Sequence, residues 1–273
     1  EDRYAGVMEF VNALISSPPL EVVSRSQTLD LGENKEKAGK HNPEDLCLTL
    51  APGIKMEFVR VPAGEFLYGE NHQRKYNHKP YLIGKYPVTQ AQYQCFIDAN
   101  PAHGIPHLDV EFYEPFNWDK KTRRHPKGKE NHPVAIISWE DAQDFCRWVS
   151  QLTGIEVRLP TEQEWEKAAR STDGRTYPWG NEWTDGKYAN SYEGGIGSTV
   201  PVDEFPLGAS PYDIWDLSGN LWEWTSSPHE DSGYTLRGGS WNDDAYSLQS
   251  FYRYRSGSTN SSYCFGFRCA RSL

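Results

Sequence analysis

Residues 216–224 read DLSGNLWEW, and residues 238–271 read GGSWNDDAYSLQSFYRYRSGSTNSSYCFGFRCAR. The first stretch sets two carboxylates, Asp216 and Glu223, around a Gly-Asn turn whose backbone carbonyls can point inward. Calcium accepts hard oxygen ligands of that kind from a tight turn. The same residues also suit a turn pinned by Trp222 and Trp224 packing into a core, and local chemistry leaves the two readings open. The second stretch has a stiff frame, GGSW in front and GFRCAR behind. It encloses Asn, Asp, Tyr, Ser, Arg and Gly in neither helical nor strand-like order.

The surrounding composition narrows the choices. The chain has 273 residues, 14% of them aromatic, with 23 Gly and 18 Pro, which fits a core of large rings joined by many turns. A formal net charge of −10 argues against nucleic acid as a partner, since that needs a basic footprint. No apolar run approaches the roughly 20 residues of a membrane span. The five cysteines, 47, 95, 146, 264 and 269, are odd in number and form no CxxC pair, so reduced thiols are expected. Together with the lack of a visible leader they favour a cytoplasmic setting, although the chain opens on Glu1 and not on Met.

Residues 1–45 stand apart. RYAGVMEFVNALISS has the spacing of a short amphipathic helix, and a polar linker follows it, so this region is expected to dock to an upstream domain or a partner. From residue 46 to 273 one domain is expected. MEFVRVPAGEFLYG suggests two strands around Pro62-Ala63-Gly64, as in a hairpin. Three helices have capping-box starts: Thr89 with Gln92, Ser138 with Asp141, and Thr161 with Glu164. Ala142, Phe145, Cys146, Val149 and Leu152 form the apolar face of the second. No helix of any length is expected after Arg170. His103 and His107 have the spacing of a helical zinc pair, but Gly104 and Pro106 between them argue against a helix.

The segments VPAGEFLYG, KYPVTQAQYQCFI, HPVAIISWEDAQDFCRWV, RLPTEQEWEKAAR, YPWGNEW, DLSGNLWEW, LRGGSW and GFRCAR resemble, in order, the formylglycine-generating-enzyme (sulfatase-modifying factor) family. That resemblance implies an α+β, C-type-lectin-like fold with two to three helices, small antiparallel sheets and much irregular structure. It also implies a structural calcium held by the side chains of Asp216 and Glu223 and the carbonyls of Gly219 and Leu221. Oxidising members bind copper through two cysteines just after the GGS segment, and soft thiolates suit copper(I). Here that region has no Cys before Cys264, so no copper and no catalysis are expected. A formylglycine-generating or related oxidase is the runner-up.

Within the same fold, the frame is similar to that of the variable proteins of diversity-generating retroelements. In those systems templated AAC codons become any codon ending in C, which never encodes Lys, Glu, Gln, Met or Trp. On that pattern the variable positions are Asn242, Asp243, Asp244, Tyr246, Ser247, Tyr252, Tyr254, Arg255, Ser256, Gly257, Asn260, Ser262, Tyr263 and Cys264. All are reachable from AAC. Ala245, Leu248, Ser250 and Arg253 match the fixed frame, while Gln249, Phe251, Ser258, Thr259, Ser261 and Phe265 depart from the pattern. The resemblance implies a ligand-binding face taking varied macromolecules, with protein favoured because rigid Tyr and adaptable Ser, Gly and Asn suit broad surfaces. Phe251 and Phe265 are expected to pack inward.

Overall fold

A computed structural model describes residues 45–273. The amphipathic stretch expected before residue 45 lies outside them. Among the described residues ten strands form three sheets. The first has the order β1 (Leu46–Ala51), β2 (Ile54–Val61), β5 (Tyr81–Gly84) and β10 (Ala270–Ser272), all antiparallel neighbours. The second pairs β3 (Gly64–Tyr68) with β4 (Gln73–Asn77). The third has the order β8 (Tyr254–Ser256), β7 (Tyr234–Arg237), β6 (Trp222–Pro228) and β9 (Phe265–Phe267). Its β6–β9 pair is parallel, the one departure from the expected antiparallel sheets.

The hairpin expected around Pro62 does not form. β2 pairs with β1 and β5, whereas β3 pairs with β4. Proline has no N–H to give a ladder, and Gly64 takes φ +126, so the chain leaves one sheet and enters another. The three helices start where their capping boxes place them: α1 (Gln90–Ala99), α2 (Trp139–Thr153) and α3 (Glu162–Arg170). In each, the N-cap hydroxyl accepts from the N–H three residues on, and that residue's side chain accepts from the cap's own N–H. Gly154 ends α2 in the left-handed region at φ 70. Ala142, Phe145, Cys146 and Val149 are buried on α2, but Leu152 is 49% exposed, one turn past the core.

Rings fill the core as the composition implies. Trp118, Trp165, Trp224, Tyr81, Tyr93, Phe58, Phe66, Phe96 and Phe145 are fully buried. Tyr93 of α1 stacks on Phe145 of α2 at 5.6 Å, and Phe267 of β9 meets the edge of Phe145 at 5.4 Å. The three fully buried indole N–H groups have acceptors: Trp118 donates to Gln90, Trp224 to the Ile137 carbonyl and Trp165 to Glu223. After Arg170 the chain forms only a 3-10 turn at Pro206–Gly208 and short strands. That leaves the 238–264 segment laid over this core and closed by β9 and β10.

Candidate functional site

The segment begins with a constraint that only glycine meets. Gly238 and Gly239 have φ +100 and +73, and a Cβ on Gly239 would lie 2.5 Å from Leu248 Cδ1. Trp241 then packs inward, stacked on Phe116 at 5.8 Å. Leu248 is fully buried and packs with Tyr177 and Ala189, while Ser218 Oγ donates to its carbonyl at 2.8 Å. The Ser250 N–H donates to the Thr176 carbonyl at 2.8 Å, and Tyr177 Oη donates to the Ala245 carbonyl at 3.0 Å.

A buried charge cluster holds the middle. Arg237 donates to the carbonyls of Ser250, Phe251 and Tyr252 at 3.0, 3.0 and 3.1 Å. Glu166 pairs with Arg237 through one oxygen and with Arg170 through the other at 2.8 Å, and all three side chains are buried. The Arg170 guanidinium lies 5.1 Å from the centroid of the Phe251 ring. One guanidinium therefore fixes three consecutive backbone acceptors from below. Downstream, β8 adds Tyr254, Arg255 and Ser256 to β7.

From this backbone the expected variable side chains divide. Asp244, Tyr246, Tyr254, Arg255, Gly257 and Asn260 are exposed; Asn242, Asp243, Ser247, Tyr252, Ser256, Ser262 and Tyr263 are partly buried; Cys264 is buried. Tyr246 and Tyr254 are 59% and 45% exposed and flank a short aromatic ridge. Tyr246 meets the edge of Tyr252 at 5.4 Å, and Trp222 lies 6.0 Å from Tyr252 and 5.4 Å from Tyr254. Tyr246, Phe251, Tyr252 and Arg253 also form one side of a cleft of about 550 Å³, opposite Tyr68 to Lys75 of the β3–β4 hairpin.

Three expected display positions face the wrong way. The Asp243 carboxylate turns inward, accepting from Trp222 Nε1 at 2.9 Å and from the Ser240 N–H at 3.1 Å, and burial raises its pKa. Tyr263 packs between Trp241 and Phe116, and its hydroxyl lies 3.3 Å from Asn242 Nδ2. The Cys264 thiol is buried, and burial pushes its pKa well above the ordinary range, so it stays protonated. Phe265 is buried and Phe251 partly so, as expected.

The geometry at Asp216–Glu223 does not fit the calcium expectation. Both Glu223 oxygens already accept from Arg268, at 2.6 Å from Nε and 2.6 Å from an NH2 group. Trp165 Nε1 adds a third bond at 2.7 Å. Arg268 also donates to the carbonyls of Trp215 and Asp216 at 2.8 and 3.1 Å. Asp216 accepts from Asn220 Nδ2 at 2.9 Å, and burial pushes its pKa up to about 7. The Gly219 N–H donates to Gly238 O, which ties this turn to the display segment, and Leu221 packs in the core. A guanidinium thus lies against Glu223, one of the two expected carboxylate ligands. Among the described residues no three His, Cys, Asp or Glu side chains converge as metal ligands. His103 faces Asp141 and Asp144, and His107 faces Asp109 and the Trp118 carbonyl. The Cys146 and Cys269 sulfurs lie 3.8 Å apart, buried in the core.

A family model for the sulfatase-modifying factor enzyme 1-like domain matches residues 51–273. The chain belongs to this family. Its relatives include the inactive Cα-formylglycine-generating enzyme 2 of Mus musculus, 32% identical over 78% of this chain and 85% of that protein. The formylglycine-generating enzyme of Streptomyces coelicolor is 30% identical over 78% of this chain and 88% of its own length. Among solved structures, variable protein 1 of Treponema denticola superposes with a TM-score of 0.66 at 22% identity, over 85% of this chain and all of that one. That likeness establishes the C-type-lectin-like fold. Family membership covers proteins named as enzymes and as inactive, so activity has to be argued from the residues.

The Arg237–Glu166–Arg170 cluster was not visible to sequence reasoning as part of the site. Its signal was there, in Glu166 and Arg170 at i, i+4 beside Trp165 on a helix otherwise expected to bury its apolar face.

Proposed function

We propose that this domain is a non-catalytic binding protein whose C-terminal face is diversified by a retroelement to take varied protein targets. The observation that carries the reading is a division between frame and variable positions. Two of the four frame positions, Leu248 and Ser250, are fully buried and hydrogen-bonded and Ala245 is partly buried, with Arg253 the exposed exception, while Tyr246, Tyr254 and Arg255, assigned as variable, project outward from the same backbone. Exposed rings at Tyr246 and Tyr254, beside Trp222 and Tyr252, suit a contact surface better than bare solvent. The open, outward-facing ridge favours a protein over a small molecule, which would need a closed pocket.

The runner-up, an oxidase of the formylglycine-generating type, lacks support in the thiols. Copper(I) in the oxidising members is held by two cysteines just after the GGS segment, whereas residues 238–264 carry the single Cys264, which is buried. Among the described residues no helix is long and apolar enough to cross a membrane. Incubating the purified protein with copper(I) and a sulfatase-type cysteine peptide separates the readings. No conversion of the peptide is expected, and stoichiometric copper with aldehyde formation would establish the oxidase instead.

A further inference from the structure

Exposed apolar side chains scattered singly over a surface carry no message. The loop 191–197 is different, because it holds two of them against the display segment. Tyr192 is 59% exposed and Ile196 48% exposed. The Tyr192 N–H donates to the Asp243 carbonyl at 3.0 Å, and the Ala245 N–H donates to Glu193 Oε1 at 2.9 Å. Two hydrogen bonds therefore join this loop to the stretch leading into Tyr246.

The loop is also stiff. Asn190 Nδ2 donates to the Ser198 carbonyl at 2.8 Å and closes its two ends. Inside it, Gly194 and Gly195 donate to the carbonyls of Ser191 and Tyr192 at 3.2 and 3.1 Å. An aromatic side chain held out by an ordered backbone loses little further entropy on binding. The exposed charges beside Tyr192 are acidic, while Lys129 Nζ donates to Ser198 Oγ at 3.0 Å at the far end of the loop. Glu193 and Asp244 are exposed, and among the described residues neither has an ion pair. Glu193 gives one oxygen to Ala245, and Asp244 accepts from Ser247 at 3.1 Å. With a net charge of −10 on the whole chain, this edge attracts a basic partner.

We infer that loop 191–197 is a constant lip of the display face and that Tyr192 is an anchor shared by its ligands. The ligand it fits is a protein surface with an apolar centre and Lys or Arg at its rim. This rests on the binding reading above, and it adds a fixed contact that diversification does not alter.

The test selects a phage-displayed library of random dodecapeptides on the intact protein and measures the best enriched peptide by calorimetry. The peptide should be rich in Lys or Arg. Tyr192→Ala should weaken it about tenfold or more, and Tyr192→Phe should hold it within about twofold, with the melting temperature unchanged in both. If Tyr246→Ala/Tyr254→Ala weakens the peptide and Tyr192→Ala does not, the lip is overturned and the display reading stands. If only Tyr192→Ala matters, the loop binds by itself, and both the lip and the display reading fail. If no peptide enriches, or neither variant changes affinity, both are overturned.

Discussion

Arg268 grips Glu223 with two bonds of 2.6 Å, both side chains fully buried, and in doing so joins the closing frame of the chain to β6. Burying a charge costs several kcal/mol unless a partner and hydrogen bonds compensate it. Here Trp165 and the Trp215 and Asp216 carbonyls complete the set. Breaking the pair with Glu223→Leu or Arg268→Met should cost about 3–5 kcal/mol, while the two together should cost less than the sum. Denaturant titration of the three variants reads this directly.

If Arg268 supplies the positive charge at this turn, chelation should leave stability alone. Protein freed of metal with a strong chelator should melt at the same temperature with and without millimolar calcium, because only a ligand of the folded state raises it by mass action. A calcium-dependent rise, abolished by Asp216→Ala, would restore the metal site.

The clamp under the display segment should show in local order as well as in stability. Arg237→Met leaves Glu166 with Arg170 and the Gly69 N–H, both on its other oxygen, and strips three carbonyls of their donor. A loss of about 3–5 kcal/mol is expected, as for other broken buried pairs. Hydrogen exchange should quicken across residues 249–253, and Arg237→Lys should not rescue it, since one ammonium cannot span three acceptors in a fixed plane.

His132 gives a pH signature. Partial burial, helped by Lys129, pushes its pKa down to about 4. The folded state therefore keeps the neutral ring, and the unfolded chain binds the extra proton below about pH 6.5. The stability this contributes is present above that pH and is lost as pH falls toward 4. His132→Gln should flatten the fall in melting temperature over that window, and an unchanged slope would contradict the assignment.

Much of this was legible where the signal is local. The three capping boxes are satisfied within four residues of chain, so their hydroxyls and partners fixed the helix starts at Thr89, Ser138 and Thr161. What was not legible depends on distant partners. β3 finds β4 and not β2, because Pro62 ends one ladder and pairing is decided across the fold. Asp243 turns inward because Trp222 of β6 offers it an N–H. Glu223 reads as a calcium ligand until Arg268, from another segment, is brought beside it.

The central claim is that retroelement copying rewrites the outward positions of a clamped segment. The most direct measurement is to sequence this locus from independent isolates of the same organism. The expected result is that differences concentrate in codons ending in C at the outward positions, Asp244, Tyr246, Tyr254, Arg255, Gly257 and Asn260 among them. Leu248, Ser250, Trp241 and Arg237 should stay constant, and Lys, Glu, Gln, Met and Trp should never appear at the variable positions. Substitutions spread evenly over the domain, or confined to third codon bases within 242–264, would contradict it.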